Sequence, residues 1–349
     1  MIIDEQYMRR CITLARYAEG YAAPNPMVGA VIVCDGKIIG EGYHRRYGEA
    51  HAEVNAVNSV VNKDLLRRST LYVNLEPCSH YGKTPPCVDL IIRSGIPNVV
   101  VGMRDVNPEV CGNGIRKLLE AGIGVVEGVL EDECRFLNRR FITFMQKKRP
   151  YIILKWAQTA DGFIDELRDT PARKPLKISN PTTKTLNHCM RTHEMSIMVA
   201  TRTAILDNPR LTASKWNGRN PIRILIDRML SVPIEYNIFD DKAKTLVFNS
   251  IRNEINDNIE FVKLDFGQNI IPQILNELYV RNIQSVIVEG GRRLLVSFIE
   301  YGVWDECHTE VSKQIIQNGV PAPSMIDLEP VAEQQFGENI CFTCLNNII

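Results

Sequence analysis

The sequence predicts an α/β protein built from two domains. Its 349 residues suffice for two domains of ordinary size, each able to bury its own core. Apolar runs with strand character alternate with helical patterns in both halves, which favours mostly parallel sheets. A charged segment with a helical pattern runs from residue 131 to Pro150 between the two halves. We therefore predict domains at residues 1–147 and 148–349.

The composition is typical of a soluble globular protein. Hydrophobic residues make up 45% of the chain and charged residues 23%. With 41 basic and 41 acidic side chains the net charge is zero, which gives no reason to expect a nucleic-acid or membrane partner. The N-terminal stretch MIIDEQYMRRC lacks the pattern of a secretory signal, and no apolar run approaches the length of a membrane span. We expect a cytoplasmic protein whose ten cysteines are mostly buried thiols.

The first predicted elements are a helix, a loop and a hairpin. Asp4 can cap a helix that continues to about Ala18. Asn25 lies between two prolines, which hold it in an extended or turn conformation. Asp35-Gly36 joins two apolar runs and suits a two-residue type I′ turn. The helix would bury the face formed by Met8, Cys11, Ile12 and Ala15.

The remainder of the first half alternates strands and helices after a helix that starts near His51. The predicted strands are residues 70–77, 98–103 and 123–130, and the predicted helices are residues 88–94 and 114–122. Active sites of open α/β sheets lie at the carboxyl ends of the strands, and the first of these strands delivers Cys78 at that end.

Four residues between positions 51 and 87 have the types and the order of a zinc-dependent deaminase site. The signature of such a site is H-x-E, then Pro-Cys, then a second cysteine. The chain offers His51, Glu53, Cys78 after a proline, and Cys87. One imidazole and two thiolates leave the fourth position of a tetrahedral Zn²⁺ open for water. Glu53 would relay a proton of that water to the ring nitrogen and the departing amine.

The positions of these residues also suggest where two helices begin. His51 and Glu53 are two residues apart, so they would not share a face in the middle of a helix. We therefore place them in a first turn, around a metal over the helix N-terminus. Pro85-Pro86 before Cys87 indicates a second helix with proline at its first position. The dipole of that helix would stabilise a thiolate.

The spacing of the cysteines departs from the ordinary signature. Zinc deaminases space them C-x-x-C, whereas eight residues, 79–86, lie between Cys78 and Cys87. A C-x-x-C does occur at Cys341 and Cys344, but no second pair accompanies it. The surrounding ENICFTCLNNI is more typical of a final strand, with these two side chains on opposite faces.

The second half predicts another α/β domain. Its strands lie in YIILKWAQTADG, MSIMVAT, IRILIDR, KTLVFNS, EFVKL and SVIVEGG, and its helices lie in SNPTTKTLNHCMRTH, NIIPQILNELYVRN and RRLLVSFIEYG. The turn Glu289-Gly290-Gly291-Arg292 joins a strand to a helix, where backbone N–H groups can face a phosphate. By itself, a glycine pair after a strand more often marks a tight turn.

Together, the motifs HAE, LEPCSHYGKTPPC, TRTAILDNPRLT and VEGG resemble the bifunctional deaminase/reductase family of riboflavin biosynthesis over nearly the whole chain. The resemblance implies a cytidine-deaminase-like three-layer α/β/α domain followed by a dihydrofolate-reductase-like α/β domain. The first would deaminate 2,5-diamino-6-ribosylamino-4(3H)-pyrimidinone 5′-phosphate with one Zn²⁺ per chain. The second would then reduce the ribosyl group to ribityl with NADPH. A homo-oligomer, dimer or tetramer, joined through the reductase domains is also implied.

The same resemblance implies roles for individual residues. In the deaminase, the metal ligands would be His51, Cys78 and Cys87, Glu53 would be catalytic, and the substrate residues would be Asn25, His44, Ser79, His80 and Lys83. In the reductase, Lys155 and Asp207 would be catalytic, and Arg191, Leu211 and Glu289 would bind substrate. The cofactor residues would be Gln158, Asp161, Thr203, Asp207, Gly290, Gly291, Arg292, Arg293, Leu294, Leu295, Val296 and Ser297.

The chain departs from the commoner family pattern in the reductase. Many members have Ser-x-Trp where this chain has Pro175-Leu176-Lys177, and an Arg is frequent where it has Ser214. Both departures affect the residues that would hold the substrate phosphate. Arg210 or Lys215 is a candidate for the missing charge.

Two other functions fit part of the pattern. A deaminase of free nucleotides or of tRNA would keep the zinc residues but would leave the second half without a purpose. A zinc-stabilised binding protein without catalysis would favour a fourth protein ligand and would have no use for Glu53. Assays of ammonia release and NADPH oxidation with the pyrimidine nucleotide separate these alternatives from a bifunctional enzyme.

Overall fold

The computed structural model of the chain describes residues 3–81, 85–107, 111–324 and 329–346. Contacts divide the chain into two compact units, Met1–Lys148 and Arg149–Ile349. Lys83, which was predicted to bind substrate, lies outside the described residues. No helix in the described ranges is long and apolar enough to cross a membrane.

The first unit opens with a capped helix and a hairpin. The Asp4 side chain accepts a hydrogen bond from the Gln6 N–H at 3.0 Å. Both turn residues of the hairpin have positive φ, 49° at Asp35 and 73° at Gly36, as a type I′ turn requires. The helices are α1 Glu5–Arg16, α2 Ala52–Ser59, α3 Cys87–Arg93, α4 Asn113–Glu120, α5 Glu131–Leu137 and α6 Arg139–Lys147. The strands are β1 Gly29–Cys34, β2 Lys37–Tyr43, β3 Thr70–Leu75, β4 Asn98–Met103 and β5 Gly124–Val126.

These strands form one sheet in the order β2-β1-β3-β4-β5, antiparallel at β2-β1-β3 and parallel at β3-β4-β5. Alternate residues of β1 enter two different cores, because successive side chains of a strand point to opposite faces. Ile32 packs with α2, α3 and α4 through Ala56, Ile91 and Leu118. Val31 packs on the other face with residues of α1, α5 and α6. The unit therefore has three layers, α/β/α.

The charged segment near residues 131–150 is not simply a bridge between the domains. Its helices α5 and α6 bury Cys134, Leu137 and Ile142 in the core beneath α1. The Asn138 side chain accepts from the Met27 N–H at 2.8 Å and donates to the Met27 carbonyl at 3.0 Å. The charges lie on the outer face of these helices, and the inner face is an integral part of the first unit.

The second unit contains further helices and strands in alternation. Its helices are α7 Pro181–His193, α8 Thr201–Asp207, α9 Ile270–Val280 and α10 Arg292–Tyr301. Its strands are β6 Tyr151–Gln158, β7 Phe163–Asp165, β8 Ser196–Ala200, β9 Ile222–Ile226, β10 Thr245–Asn249, β11 Glu254–Asn256, β12 Ile259–Lys263, β13 Ser285–Gly290, β14 Glu306–Val311, β15 Val320–Pro321, β16 Ala332–Phe336 and β17 Asn339–Leu345.

The main sheet of this unit has the order β11-β12-β10-β9-β8-β13-β6-β14-β17-β16, with parallel pairing from β12 to β14. Ile152 and Leu154 of β6 pack under α9 and α10. Tyr151 and Ile153 pack on the opposite face with residues of α7 and α8. Lys155 follows Tyr151 and Ile153 at the same two-residue spacing, so its side chain points to the face of the sheet that packs against α7 and α8.

The C-x-x-C near the C-terminus lies in β17, as the strand pattern predicts. Cys341 pairs with Glu310 and Cys344 pairs with Cys307 across the β14–β17 ladder. The two cysteines are three positions apart in a strand, so their side chains point to opposite faces of the sheet. They therefore do not form a metal-binding pair.

Candidate active sites

Three side chains from separate elements meet at one point of the first unit. His51 is the residue before α2, Cys87 is the first residue of α3, and Cys78 follows β3. The His51 Nδ1 atom lies 3.5 Å from the Cys78 sulfur and 3.3 Å from the Cys87 sulfur. These separations are close to the roughly 3.6 Å edge that Zn–N and Zn–S bond lengths give a tetrahedral site. The donor set and its geometry therefore fit zinc.

The N-terminus of α3 stabilises a thiolate in this cluster. The Cys87 N–H donates to the Cys78 sulfur at 3.3 Å. Hydrogen bonding from Cys87 lowers the pKa of the Cys78 thiol to about 4, against the opposing effect of burial. The thiolate is the form of cysteine that binds metals. Proline takes the position before this helix, at Pro86, rather than the predicted first helical position.

Glu53 lies in the first turn of α2, beside the three ligands. Glu53 is 3% exposed. Burial raises the pKa of its carboxyl to about 7, and the nearby Cys78 thiolate adds to the shift. A carboxyl group with a pKa near neutrality can both accept and donate a proton, which is the requirement for a proton relay.

A pocket of about 340 Å³ opens over this cluster. Asn25 and His44 line it, and their side chains are joined at 3.0 Å. His44 Nδ1 lies 3.1 Å from the Ala50 carbonyl, which can only accept, so Nδ1 carries the proton. Burial lowers the pKa of His44, which favours the neutral ring. Nε2 then accepts from the Asn25 amide, and this hydrogen bond fixes the orientation of Asn25 with its oxygen free to recognise a ring N–H.

Ser79 and His80, two predicted substrate residues, differ in their access to the pocket. His80 is exposed and lines the pocket. Ser79 is buried and is not among the described lining residues, while its carbonyl accepts from Lys117 at 2.7 Å. The structure thus gives Ser79 a structural contact through its backbone.

Glu76 is a residue of this site that the sequence did not predict. It is buried two positions before Cys78, and one of its oxygens accepts from the N–H groups of Asp105 and Gly112 at 3.2 and 3.0 Å. The other oxygen accepts from Gly114 and Ile115 at 2.9 and 3.3 Å. The carboxylate therefore caps α4 from outside the helix and ties it to the Cys78 loop. Asp105, Asn107 and Phe141 are further lining residues that the sequence did not predict.

The second unit gathers charged residues at the carboxyl ends of its parallel strands. Glu289, at the end of β13, accepts from the Arg191 guanidinium of α7 at 2.9 Å. Arg191 also donates to the Thr212 carbonyl at 3.0 Å. Burial alone would raise the pKa of Glu289, but the charges of Arg191 and Lys155 hold it below its usual value. Leu211, also predicted here, is 3% exposed and has a positive φ of 52°.

Asp207, a predicted catalytic residue, is held by a buried arginine that the sequence did not single out. The Arg168 side chain is 2% exposed and contacts the carboxylates of Asp207 and Asp165 at 2.5 and 2.7 Å. Burial raises the pKa of Asp207, and Arg168 opposes that rise. The guanidinium fixes the Asp207 carboxylate at the end of α8.

The glycine turn before α10 has the properties of a phosphate-binding turn. Gly291 precedes the helix and has no side chain to cap it, unlike Asn180, which caps α7 by accepting from Thr183 N–H at 3.0 Å. A Cβ atom on Gly291 would lie 3.2 Å from the Thr203 hydroxyl, so backbone and hydroxyl face the same space. The first N–H groups of a helix at such a turn suit the diphosphate of a dinucleotide. These residues fit NADPH.

Other predicted cofactor residues differ in how they could reach a ligand. Leu294 and Leu295 are 8% and 0% exposed and belong to the core, so only their backbone can contact a cofactor. Arg292, Arg293 and Ser297 are exposed, and Val296 is partly buried. Asp161 accepts from Thr159 at 2.6 Å and from the Gln317 N–H at 2.7 Å, which ties two loops together. Gln158 accepts from the Trp156 indole at 2.8 Å.

Two family profiles match the two units. Residues 1–103 match the cytidine and deoxycytidylate deaminase zinc-binding region, and residues 150–328 match the RibD C-terminal domain. The chain is 40% identical to the riboflavin biosynthesis protein RibD of Aquifex aeolicus over 91% of this chain and 89% of that protein. It is 39% identical to RibD of Synechocystis over 96% and 90%.

A solved structure matches the whole fold. The diaminohydroxyphosphoribosylaminopyrimidine deaminase/5-amino-6-(5-phosphoribosylamino)uracil reductase of Thermotoga maritima superposes with a TM-score of 0.89 at 38% identity, covering 98% of each chain. The predicted fold class, both activities, and the zinc and NADPH cofactors are thereby confirmed. The chain belongs to the RibD family, the bifunctional deaminase/reductases of riboflavin biosynthesis.

Proposed function

We propose that the first unit removes an amino group from 2,5-diamino-6-ribosylamino-4(3H)-pyrimidinone 5′-phosphate by hydrolysis, with Glu53 as proton carrier. The second unit then reduces the ribosyl group of 5-amino-6-(5-phosphoribosylamino)uracil to ribityl with NADPH. The observation that carries the first assignment is a buried carboxyl with a pKa of about 7 beside a His/Cys/Cys cluster at the base of a pocket.

Deamination needs a nucleophile and a group that moves protons. His51, Cys78 and Cys87 would hold zinc, which when bound would supply a water of lowered pKa. Glu53 accepts a proton from the attacking water and passes it to the pyrimidine ring nitrogen. It then passes the second proton of that water to the departing amine, so that ammonia leaves and a ring carbonyl forms. Because Glu53 is buried, its carboxyl exchanges protons with the attacking water and the substrate rather than with bulk water.

Asn25 and His44 hold the pyrimidine over this carboxyl. Because the Asn25 amide donates to His44, its oxygen is left to accept from a ring N–H or an amino group. The neutral His44 ring is itself fixed by the Ala50 carbonyl. His80, which lines the pocket, contacts the ribose phosphate. The resemblance to the family supports the same role for Lys83.

The reduction needs a sugar held in place, a hydride donor and a hydrogen-bond donor to the atom that gains electron density. NADPH, when bound, would supply the hydride that C1′ of the opened ribose accepts. Lys155, which lies near Glu289, donates to the atom that gains electron density. Asp207, held by Arg168, accepts from a hydroxyl of the opened sugar or of the cofactor. We assign Arg191, Leu211 and Glu289 to the substrate and the Gly290-Gly291 turn to the cofactor, as the resemblance to the family implies.

We further propose that the enzyme works in the cytoplasm as a homo-oligomer, a dimer or tetramer, joined through its second units. The resemblance to the family supports this assignment. Light scattering of the full chain beside the isolated first and second units tests it, because the second unit alone should retain the oligomeric mass. A monomeric second unit would contradict the proposal.

The order of the two reactions gives the test of the proposed function. The purified holoenzyme, supplied with the diamino nucleotide and NADPH, should release ammonia and oxidise NADPH in equal amounts, with ammonia appearing first. Omitting NADPH should leave ammonia release unchanged. NADPH oxidation without ammonia release, or release from cytidine or adenosine in preference to this substrate, would contradict the assignment.

A further inference from the structure

Two cysteines lie directly opposite each other in the antiparallel ladder of β14 and β17. Cys307 of β14 pairs in register with Cys344 of β17. The Asn346 N–H donates to the Asp305 carbonyl at 2.9 Å, so the cysteine pair, two positions further along the ladder, is also of the hydrogen-bonded type. The Cα atoms of such a pair are about 5.5 Å apart. This separation lies within the range of roughly 4.4–6.8 Å that a disulfide spans.

The two side chains share one face of the sheet. Cys307 is buried in the core beneath α9 and α10, and Cys344 is partly buried against the same core. The sulfurs are close enough for the charge of a Cys344 thiolate to act on the pKa of Cys307. Cys341, three positions earlier in β17, is opposite Glu310 and points to the other face. Cys344, rather than Cys341, can therefore reach Cys307.

The cysteine pair lies towards the least buried end of the main sheet. Four of the five residues of the edge strand β16 are exposed, and six of the seven residues of β17 are partly buried. The central strands β8, β9 and β10 are almost entirely buried. Elements with few buried side chains open locally at a lower free energy than the core of a sheet. Local opening of β17 would expose Cys344, and then Cys307, to a small oxidant.

Both thiols are protonated while the strands are closed. Burial raises the pKa of Cys307 to about 12, and burial also raises the pKa of Cys344. In this state the Cys307 sulfur lies 3.5 Å from the Thr309 hydroxyl. The thiolate is the form of cysteine that attacks a disulfide. Oxidation of the closed strands is therefore slow, and it proceeds faster from the locally open state.

We propose that Cys307 and Cys344 form a reversible disulfide when the protein meets a low-molecular-weight disulfide such as oxidised glutathione. The Cys344 thiolate attacks one sulfur of oxidised glutathione, so that one glutathione leaves as a thiol and the other stays bound to Cys344. The Cys307 thiolate then attacks the Cys344 sulfur and displaces the second glutathione. The two cysteines are oxidised, and oxidised glutathione is reduced to two thiols.

The disulfide would hold the C-terminal strand on the sheet. It closes a loop of about 37 residues between β14 and β17. A covalent bond at this position restricts the unfolded chain and opposes local opening of β17. Oxidation therefore stabilises the second unit, and a thiol reductant reverses the effect.

The test treats the zinc-loaded full chain with oxidised glutathione, blocks the remaining thiols with iodoacetamide and maps the peptides by mass spectrometry. A peptide that joins Cys307 to Cys344 should appear, and it should disappear after treatment with a thiol reductant. The midpoint of thermal unfolding should rise by about 4–16 °C, the shift that a disulfide of ordinary strength gives a unit of this size.

Cys344→Ser removes the attacking thiol and should give neither the joined peptide nor the rise in the midpoint. Cys341→Ser is the matched control, because Cys341 lies in the same strand on the opposite face, and it should behave like the wild type. Wild-type protein in which Cys344 carries glutathione without joining Cys307, or in which both thiols stay free, would overturn the proposal. A joined peptide without a rise in the midpoint would overturn the stabilising role of the disulfide.

Discussion

The two units each contain a glutamate in a polar site, and the two carboxyls have opposite shifts in pKa. Glu53 lies beside a thiolate, and burial raises its pKa to about 7. Glu289 is partly buried, but Arg191 and Lys155 keep its pKa below the usual value. The surroundings therefore make one carboxyl a proton carrier and the other a permanent anion. We therefore expect the two sites to work at the same pH and independently of each other.

The largest expected effect is the loss of ammonia release when Glu53, the proton carrier of the first unit, is replaced. Glu53→Gln should lower the rate of ammonia release by about 10²- to 10⁴-fold, because the amide cannot relay a proton. Bound zinc, measured by metal analysis, should be unchanged. Glu120→Gln, a surface substitution on α4, is the control and should release ammonia at the normal rate. Ammonia release at the wild-type rate by Glu53→Gln would refute the assignment.

The metal ligands can be tested separately from the proton carrier. Cys87→Ser should reduce bound zinc well below one ion per chain and abolish ammonia release, since it replaces a thiolate ligand with a hydroxyl. Cys111→Ser is the control, because Cys111 is exposed and remote from the cluster in sequence. Metal analysis that finds full zinc occupancy in Cys87→Ser would show that the ligand set is wrong.

In the second unit, we expect NADPH oxidation to depend on Lys155 and Asp207. Lys155→Ala and Asp207→Ala should each slow NADPH oxidation by about 10²-fold, the effect of losing one preorganised polar group. Ammonia release should stay intact in both variants, and Lys184→Ala serves as the control for a lost lysine. Normal NADPH oxidation in both would place the reductase pocket elsewhere.

A smaller effect should follow from removing the cap of α4. Glu76→Gln replaces a carboxylate that accepts from four backbone N–H groups. We expect the free energy of unfolding of the first unit to fall by about 1.5–3 kcal/mol, the range for a hydrogen bond to a charged group. Urea unfolding of the full chain with Glu120→Gln as control measures this. Equal stability of the two variants would show that the cap contributes nothing.

The difference between the sites also explains what the sequence could predict. The zinc ligands lie within 37 positions, each next to a local signal such as a helix start, so residue types and order sufficed. Glu76 escaped prediction because it binds backbone N–H groups up to 39 residues away, which any residue types could supply. Arg168 contacts Asp207 39 positions later, so only the fold pairs them.

The charged segment after residue 130 shows a related limit of sequence patterns. Its many charges indicated a connection between domains, yet Cys134, Leu137 and Ile142 are buried. The resemblance to a family identified the reductase residues. Residue types alone could not show which of them would contact the cofactor through the side chain and which through the backbone. Leu294 and Leu295 illustrate this, because their side chains fill the core.

We expect the smallest change in reductase activity when the second unit is separated from the first. A fragment of residues 148–349 should fold and keep NADPH oxidation on the deaminated nucleotide. It retains Arg149, whose guanidinium contacts Asp305 at 2.6 Å, and Asp305 in turn accepts from the Ile152 N–H at 2.8 Å. Circular dichroism and an NADPH assay check it. An insoluble or inactive fragment would show that the two units depend on a shared interface.

The most direct test of two independent sites is an equimolar mixture of the Glu53→Gln and Lys155→Ala variants. Given the diamino nucleotide and NADPH, each variant alone should oxidise NADPH at least about 10²-fold more slowly than the wild type. Glu53→Gln makes too little intermediate, and Lys155→Ala reduces the intermediate too slowly. The mixture should release ammonia and then oxidise NADPH, because the intermediate made by one chain is reduced by the other. Ammonia release without NADPH oxidation in the mixture, while Glu53→Gln still reduces added intermediate, would contradict the independence of the sites.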